Sequence, residues 1–139
     1  MTSKMDPVIH FEMPAEDSER ARTFYEDAFG WHTTPLGPEM GDFVLAFTTE
    51  TDDKTRIPRK RGAINGGLYK RAEPNQSVKL TILVDDIREA IKKVEAAGGK
   101  VLAEPVEMPG VGLFADFRDT EGNIATINQD FAIKRLPND

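Results

Sequence analysis

Residues 8–30 read Val8-Ile-His-Phe-Glu-Met-Pro-Ala-Glu-Asp-Ser-Glu-Arg-Ala-Arg-Thr-Phe-Tyr-Glu-Asp-Ala-Phe-Gly30. This segment is the most informative about the fold because its pattern occurs twice. The alternation from Val8 to Met13 is typical of a strand with two different faces. A helix is predicted next, since Asp17 is a favourable N-cap and Gly30 a favourable C-terminal stop. Helical spacing predicts one apolar face on it, made of Ala21, Phe24, Tyr25, Ala28 and Phe29.

The same strand–helix pattern returns at an offset of 69 residues. The strand-like run Val78-Lys-Leu-Thr-Ile-Leu-Val84 precedes a second helix pattern that ends at Gly98-Gly99. The offset pairs identical residues at Asp17/Asp86, Ala21/Ala90, Glu26/Glu95, Ala28/Ala97 and Gly30/Gly99. The chain of 139 residues is about twice this period, so we predict two copies of one strand–helix–strands unit.

The remaining strands are predicted at 31–36, 43–47 and 62–70, and at 100–106, 112–117 and 123–128. Pro14 is expected to end the first strand because proline has no N–H for a ladder. Gly66-Gly67 indicates a bulge, a close approach of the backbone to a ligand, or a register kink. The polar joint 71–77 is short, which predicts a single domain over 1–139, with modules at about 6–71 and 77–131.

Composition narrows the class of protein. The chain is 39% hydrophobic and 30% charged, as expected for a soluble globular protein, and has no apolar run that predicts a membrane span. Its net charge of -6 argues against nucleic-acid binding. It contains no Cys and begins without a signal-peptide pattern, so we expect a cytoplasmic protein.

One segment runs against the acidic balance, and we call residues 54–61 the basic loop. It contains Lys54, Arg56, Arg59, Lys60 and Arg61 around Pro58. Such a run is either a solvated hairpin loop or a clamp for an anion near a pocket mouth.

The order of motifs resembles the vicinal oxygen chelate superfamily, which includes glyoxalase I, bleomycin-resistance proteins and extradiol dioxygenases. The resemblance rests on 8–13, Asp17 to Tyr25, Phe29-Gly-Trp31, Val84-Asp-Asp-Ile87, Ala97-Gly-Gly-Lys-Val101 and Phe117-Arg-Asp-Thr-Glu-Gly-Asn123. It implies an α+β fold of two βαβββ modules, with a cupped mixed sheet, helices on the outer face, a small-molecule ligand and a homodimer. The nearest group is the one related to lactoylglutathione lyase.

The resemblance also implies a divalent metal, held by the first and last strands of each module. In this sequence the corresponding positions are His10, Lys79, Thr126 and a residue near Gly67. His10 alone is a ligand type, because a protonated Lys cannot coordinate and Thr is a poor ligand. We therefore expect no metal and no other cofactor, although Glu12 on the same strand face leaves a weak two-ligand site open.

These positions give the candidate site. His10 and Glu12 are the candidate catalytic residues; His10 is a ligand, a proton-transferring group or a structural residue, and Glu12 orients it or is solvated. The candidate substrate-binding residues are Lys79, Thr81, Thr126 and Gly67. Lys79 either anchors a carboxylate or phosphate, or pairs with Glu12 or solvent.

Two functions follow from this set. The first is a glyoxalase-like protein that binds a small molecule without being a true glyoxalase I. The alternative is a metal-dependent lyase, isomerase or dioxygenase.

Overall fold

The computed structural model describes residues 5–133, which form two compact units. One unit is His10–Lys79, and the other combines the residues up to Ile9 with those from Leu80 onward. None of the helices in residues 5–133 has the length and apolar character required to cross a membrane.

The unit His10–Lys79 contains one helix on a mixed sheet. Strand β1 (Val8–Ala15) enters it from the other unit and is followed by α1 (Ser18–Phe29). Three more strands follow, namely β2 (His32–Pro35), β3 (Val44–Phe47) and β4 (Asn65–Lys70). The strand order is β2–β3–β4–β1, in which β1 is parallel to β4 and the other two pairs are antiparallel.

The second unit repeats this topology. Strand β5 (Lys79–Leu83) leads into α2 (Ile87–Ala96), and short strands β6 (Lys100–Val101) and β7 (Val106–Met108) precede β8 (Gly112–Arg118) and β9 (Ile124–Asp130). β5 is parallel to β9, β9 is antiparallel to β8, and both β6 and β7 pair with β8. The predicted strand 100–106 is therefore wrong as one strand, since it is two short ones.

Both helices start and stop where the sequence predicted. The Asp17 carboxylate accepts the N–H of Arg20, and the Asp86 carboxylate accepts those of Arg88 and Glu89. Gly30 has the left-handed conformation (φ 73°) that ends a helix with little strain. These contacts are local, which is why the sequence alone locates them.

Each helix covers a small core on one face of its sheet. Under α2 the buried residues are Val84, Ile87, Ala90, Ala115 and Ile127. Under α1 the buried residues are Ala15, Val44 and Leu68, with Met13 and Ala21 packed against them. The predicted apolar face of α1 is only partly buried, because Phe24 and Phe29 are 56% and 64% exposed.

The predicted end of the first strand at Pro14 is wrong, and two of the three interpretations of Gly66-Gly67 are excluded, while a close approach to a ligand stays a prediction. Pro14 lies inside β1. The carbonyl of the neighbouring Ala15 points towards β4 and accepts the Arg71 N–H. The N–H that proline lacks would therefore not have faced β4, and the β1–β4 ladder is not interrupted. Gly66 and Gly67 pair in unbroken register with Phe11 and Glu12, so they form neither a bulge nor a kink.

Candidate functional site

The sheet of His10–Lys79 has two different faces. Phe11 and Met13 point towards α1, where the Phe11 ring lies 5.6 Å from that of Trp31 and the Met13 sulfur accepts the Tyr25 hydroxyl at 3.7 Å. His10 and Glu12 therefore point to the opposite face. We call this the His10 face. Register adds Leu45, Asn65, Gly67 and Tyr69 to it, and the ring of Phe43 lies against Gly67 on the same face.

His10 lies beside Asn65, since these two residues are partners in the parallel β1–β4 ladder. Gly67, the approximate position inferred from sequence, is two residues further along and pairs with Glu12. Asn65 is buried, and its side chain accepts the Thr48 N–H at 2.9 Å and donates to the Thr51 hydroxyl at 2.8 Å. No sequence motif pointed to Asn65, and only the β1–β4 register would have identified it.

Glu12 and Lys79 form an ion pair on the His10 face. The Lys79 ammonium lies 3.8 Å from the Glu12 carboxylate, and the two side chains are only 14% and 16% exposed. The same ammonium lies 4.5 Å from the centre of the Tyr69 ring, within reach of a cation–π interaction. Tyr69 is itself positioned, because its hydroxyl donates to the Ser77 carbonyl at 2.7 Å. The pairing of Lys79 with Glu12 that the sequence left open is thus present.

Gly67 makes room for an aromatic ring. A Cβ added at Gly67 would overlap the ring of Phe43 and would lie 2.8 Å from the carbonyl oxygen of Val44. The space above Gly67 is therefore filled by the Phe43 ring. The role of Gly67 in substrate binding stays a prediction.

Thr81 and Thr126 lie in the second unit, where they are partners in the β5–β9 ladder. Both are buried, at 1% and 2% exposure. The Thr126 hydroxyl donates to the Asp116 carboxylate at 2.7 Å, which occupies its proton. Their role as substrate-binding residues also stays a prediction.

A groove of about 450 Å³ lies elsewhere in the unit His10–Lys79. It is lined by the ends of β1 and β4, the start of α1 and the β2–β3 connection, including Ala15, Glu16, Asp17, Asp42, Tyr69 and Lys70. His10 and Glu12 do not line it. Two of its carboxylates have structural contacts, because Asp17 caps α1 and Glu16 pairs with Arg71 at 3.7 Å.

The basic loop belongs to the β3–β4 connection, which is folded back on itself. Asp52 organises it, because its carboxylate accepts the N–H groups of Thr55 at 2.8 Å and Lys54 at 2.9 Å. These bonds, Thr55 first, hold the pKa of Asp52 below its ordinary value. Arg59 adds an ion pair to the same carboxylate at 3.6 Å.

The donors near His10 do not fit the divalent metal that the resemblance implies. The Glu12 carboxylate faces an ammonium, the Asn65 amide holds Thr48 and Thr51, and a catalytic zinc site needs three protein ligands. Within residues 5–133, no group of three or more His, Cys, Asp or Glu side chains is arranged to hold a metal ion. His32 is exposed on β2, and β3 and β4 separate that strand from β1.

The chain matches a known family model over most of its length. Residues 8–127 match the model of the glyoxalase/bleomycin resistance protein/dioxygenase superfamily. A glyoxylase-like domain-containing protein of Didymella fabae is 35% identical over 121 residues, covering 84% of this chain and 88% of the relative. A probable chloroplastic lactoylglutathione lyase of Arabidopsis thaliana is 27% identical, and the match covers 76% of this chain but only 30% of that protein.

Solved structures support the same fold. Methylmalonyl-CoA epimerase from Streptomyces coelicolor aligns with a TM-score of 0.68 at 16% identity, over 96% of this chain and 100% of the epimerase. At this identity the likeness concerns the fold alone. It confirms the predicted α+β fold with a mixed sheet.

Proposed function

This chain belongs to the glyoxalase/bleomycin resistance protein/dioxygenase superfamily, and from that premise we propose that it binds a small molecule on the His10 face without a catalytic divalent metal. Both binding proteins and enzymes have this fold, so the residues of the site are needed to distinguish a binding function from a catalytic one. The Arabidopsis relative raises the alternative of a lactoylglutathione lyase, but this chain spans less than a third of that protein.

The observation that carries the proposal is the ion pair between Glu12 and Lys79. Its ammonium already supplies the positive charge beside Glu12, at 3.8 Å. A divalent cation bound by His10 and Glu12 would have to displace Lys79 and would be repelled by it, in a largely buried setting where charges are weakly screened. Glyoxalase chemistry relies on a metal as Lewis acid, so this arrangement favours binding over that reaction.

The remaining groups suit a small organic ligand. The rings of Phe43 and Tyr69 offer apolar surface on the His10 face, while the His10 imidazole is able to donate or accept a hydrogen bond near neutral pH. A homodimer and a cytoplasmic location stay part of the proposal as predictions.

Metal content tests the proposal. We expect untagged protein, incubated with Ni, Zn, Fe(II) and Mn and then desalted, to retain far less than one metal per chain by ICP-MS. His10→Ala should give the same value as wild type, and His32→Ala serves as the matched histidine control. Near one metal per chain, lost in His10→Ala and kept in His32→Ala, would overturn the proposal in favour of a metal-dependent lyase or dioxygenase.

A further inference from the structure

We propose that the basic loop clamps an anionic group of the molecule that binds on the His10 face, so that the ligand carries a carboxylate or a phosphate. This inference rests on the proposed function and adds the chemical class of its ligand. Three observations support it: the position at which the loop joins the sheet, the hydrogen bonds that order its backbone, and the cationic side chains that make no ion pair.

The loop is attached at the His10 end of the sheet. It connects β3 to β4, and β4 begins at Asn65, the ladder partner of His10. The Asn65 side chain also holds the first part of the connection, through Thr48 and Thr51. One buried residue therefore contacts the strand that carries His10 and fixes the segment that leads into the loop.

The loop backbone is ordered by its own hydrogen bonds. Thr51 and Pro58 form an isolated β-bridge, and the Arg59 N–H donates to the Glu50 carbonyl at 2.9 Å. Arg56 is held in the left-handed region (φ 62°), which residues other than glycine seldom adopt, and its N–H donates to the Asp52 carbonyl at 2.8 Å. A loop ordered in advance loses less entropy when it binds a ligand.

Several of its charges are available for a ligand. Within residues 5–133, the side chains of Lys54, Lys60 and Arg61 make no hydrogen bond or ion pair. Arg59 is 61% exposed and holds Asp52 only at 3.6 Å. In a protein of net charge -6, this local excess of cations attracts anions, and Arg matches the two oxygens of a carboxylate or phosphate.

Titration with inorganic pyrophosphate at low salt tests the clamp, followed by calorimetry and by backbone ¹H–¹⁵N NMR. We expect shifts at residues 50–65 and at His10. The triple variant Arg59→Gln, Lys60→Gln, Arg61→Gln should weaken binding by about tenfold or more, because it removes three charge-assisted contacts. The matched control is Arg88→Gln, Lys92→Gln, Lys93→Gln on α2, which removes the same charge and should keep the affinity. Succinate, titrated in parallel, distinguishes a carboxylate preference from a phosphate preference.

Equal weakening in the two triple variants, shifts at α2 instead of the loop, or no binding of either anion would overturn the clamp. The two proposals fail differently. Compounds from a ligand screen that bind with equal affinity to wild type and to the loop variant would refute the clamp and leave the proposed function standing. Anion binding at the loop without any effect on His10, together with an empty ligand screen, would refute both.

Discussion

Replacing Gly66 by alanine is expected to lower the free energy of unfolding by about 3 kcal/mol, at the upper end of the cost of overpacking a core. A Cβ at this position would overlap the backbone carbonyl oxygen of Phe11 and lie 2.6 Å from the Phe11 ring. The carbonyl cannot move without disturbing the β1–β4 ladder, which also positions His10 beside Asn65. Thermal unfolding followed by circular dichroism should show a decrease in Tm of about 10 °C.

Gly37→Ala is the matched control for this substitution. Gly37 has φ -80°, which any residue adopts, and the nearest atoms to an added Cβ belong to the carboxylate end of the flexible Glu39 side chain. Its Tm should stay within about 2 °C of wild type, as for most surface changes. A Gly66→Ala variant as stable as Gly37→Ala would mean that β1 and β4 do not pack as described.

Replacing Lys79 by methionine should destabilise the protein by about 2 kcal/mol, because it leaves the Glu12 carboxylate largely buried without its cation. The cost should be below that of a fully buried pair, since both side chains keep some exposure and the distance is 3.8 Å. The loss of the contact with the Tyr69 ring adds to it. Urea unfolding of the variant measures the change.

A double-mutant cycle assigns the effect to the pair. The variant that combines Glu12→Gln with Lys79→Met should regain stability relative to Lys79→Met, with a coupling of about 1–2 kcal/mol. Lys92→Met is the control, because Lys92 and its ion-pair partner Glu89 are both exposed to solvent. This substitution should change the free energy of unfolding by about 0.5 kcal/mol or less. Zero coupling would contradict the described pairing of Glu12 with Lys79.

The sequence alone predicted those features of the structure that depend on residues close together along the chain. The carboxylates of Asp17 and Asp86 accept backbone N–H groups two or three residues further along the chain, so both helix caps can be predicted from the sequence alone. The repeat was also predicted from the sequence, and the first and last strands of each unit pair in parallel, β1 with β4 and β5 with β9.

The errors concern contacts between distant segments. Whether Pro14 interrupts a strand depends on which neighbour its missing N–H would have faced, and the sequence does not contain that information. The need for glycine at 66 and 67 comes from the rings of Phe11 and Phe43 packing against them. Asn65 was missed for the same reason, because only the register places it next to His10.

Metal-free binding on the His10 face is tested most directly by calorimetric titration, in EDTA, of the tightest compound from a thermal-shift ligand screen. We expect wild type to bind with EDTA present, His10→Ala to bind about tenfold more weakly, equivalent to 1.4 kcal/mol, and His32→Ala to bind as wild type does. Binding that EDTA abolishes and a divalent metal restores would contradict metal-free binding on the His10 face, and so would equal affinity in wild type and His10→Ala.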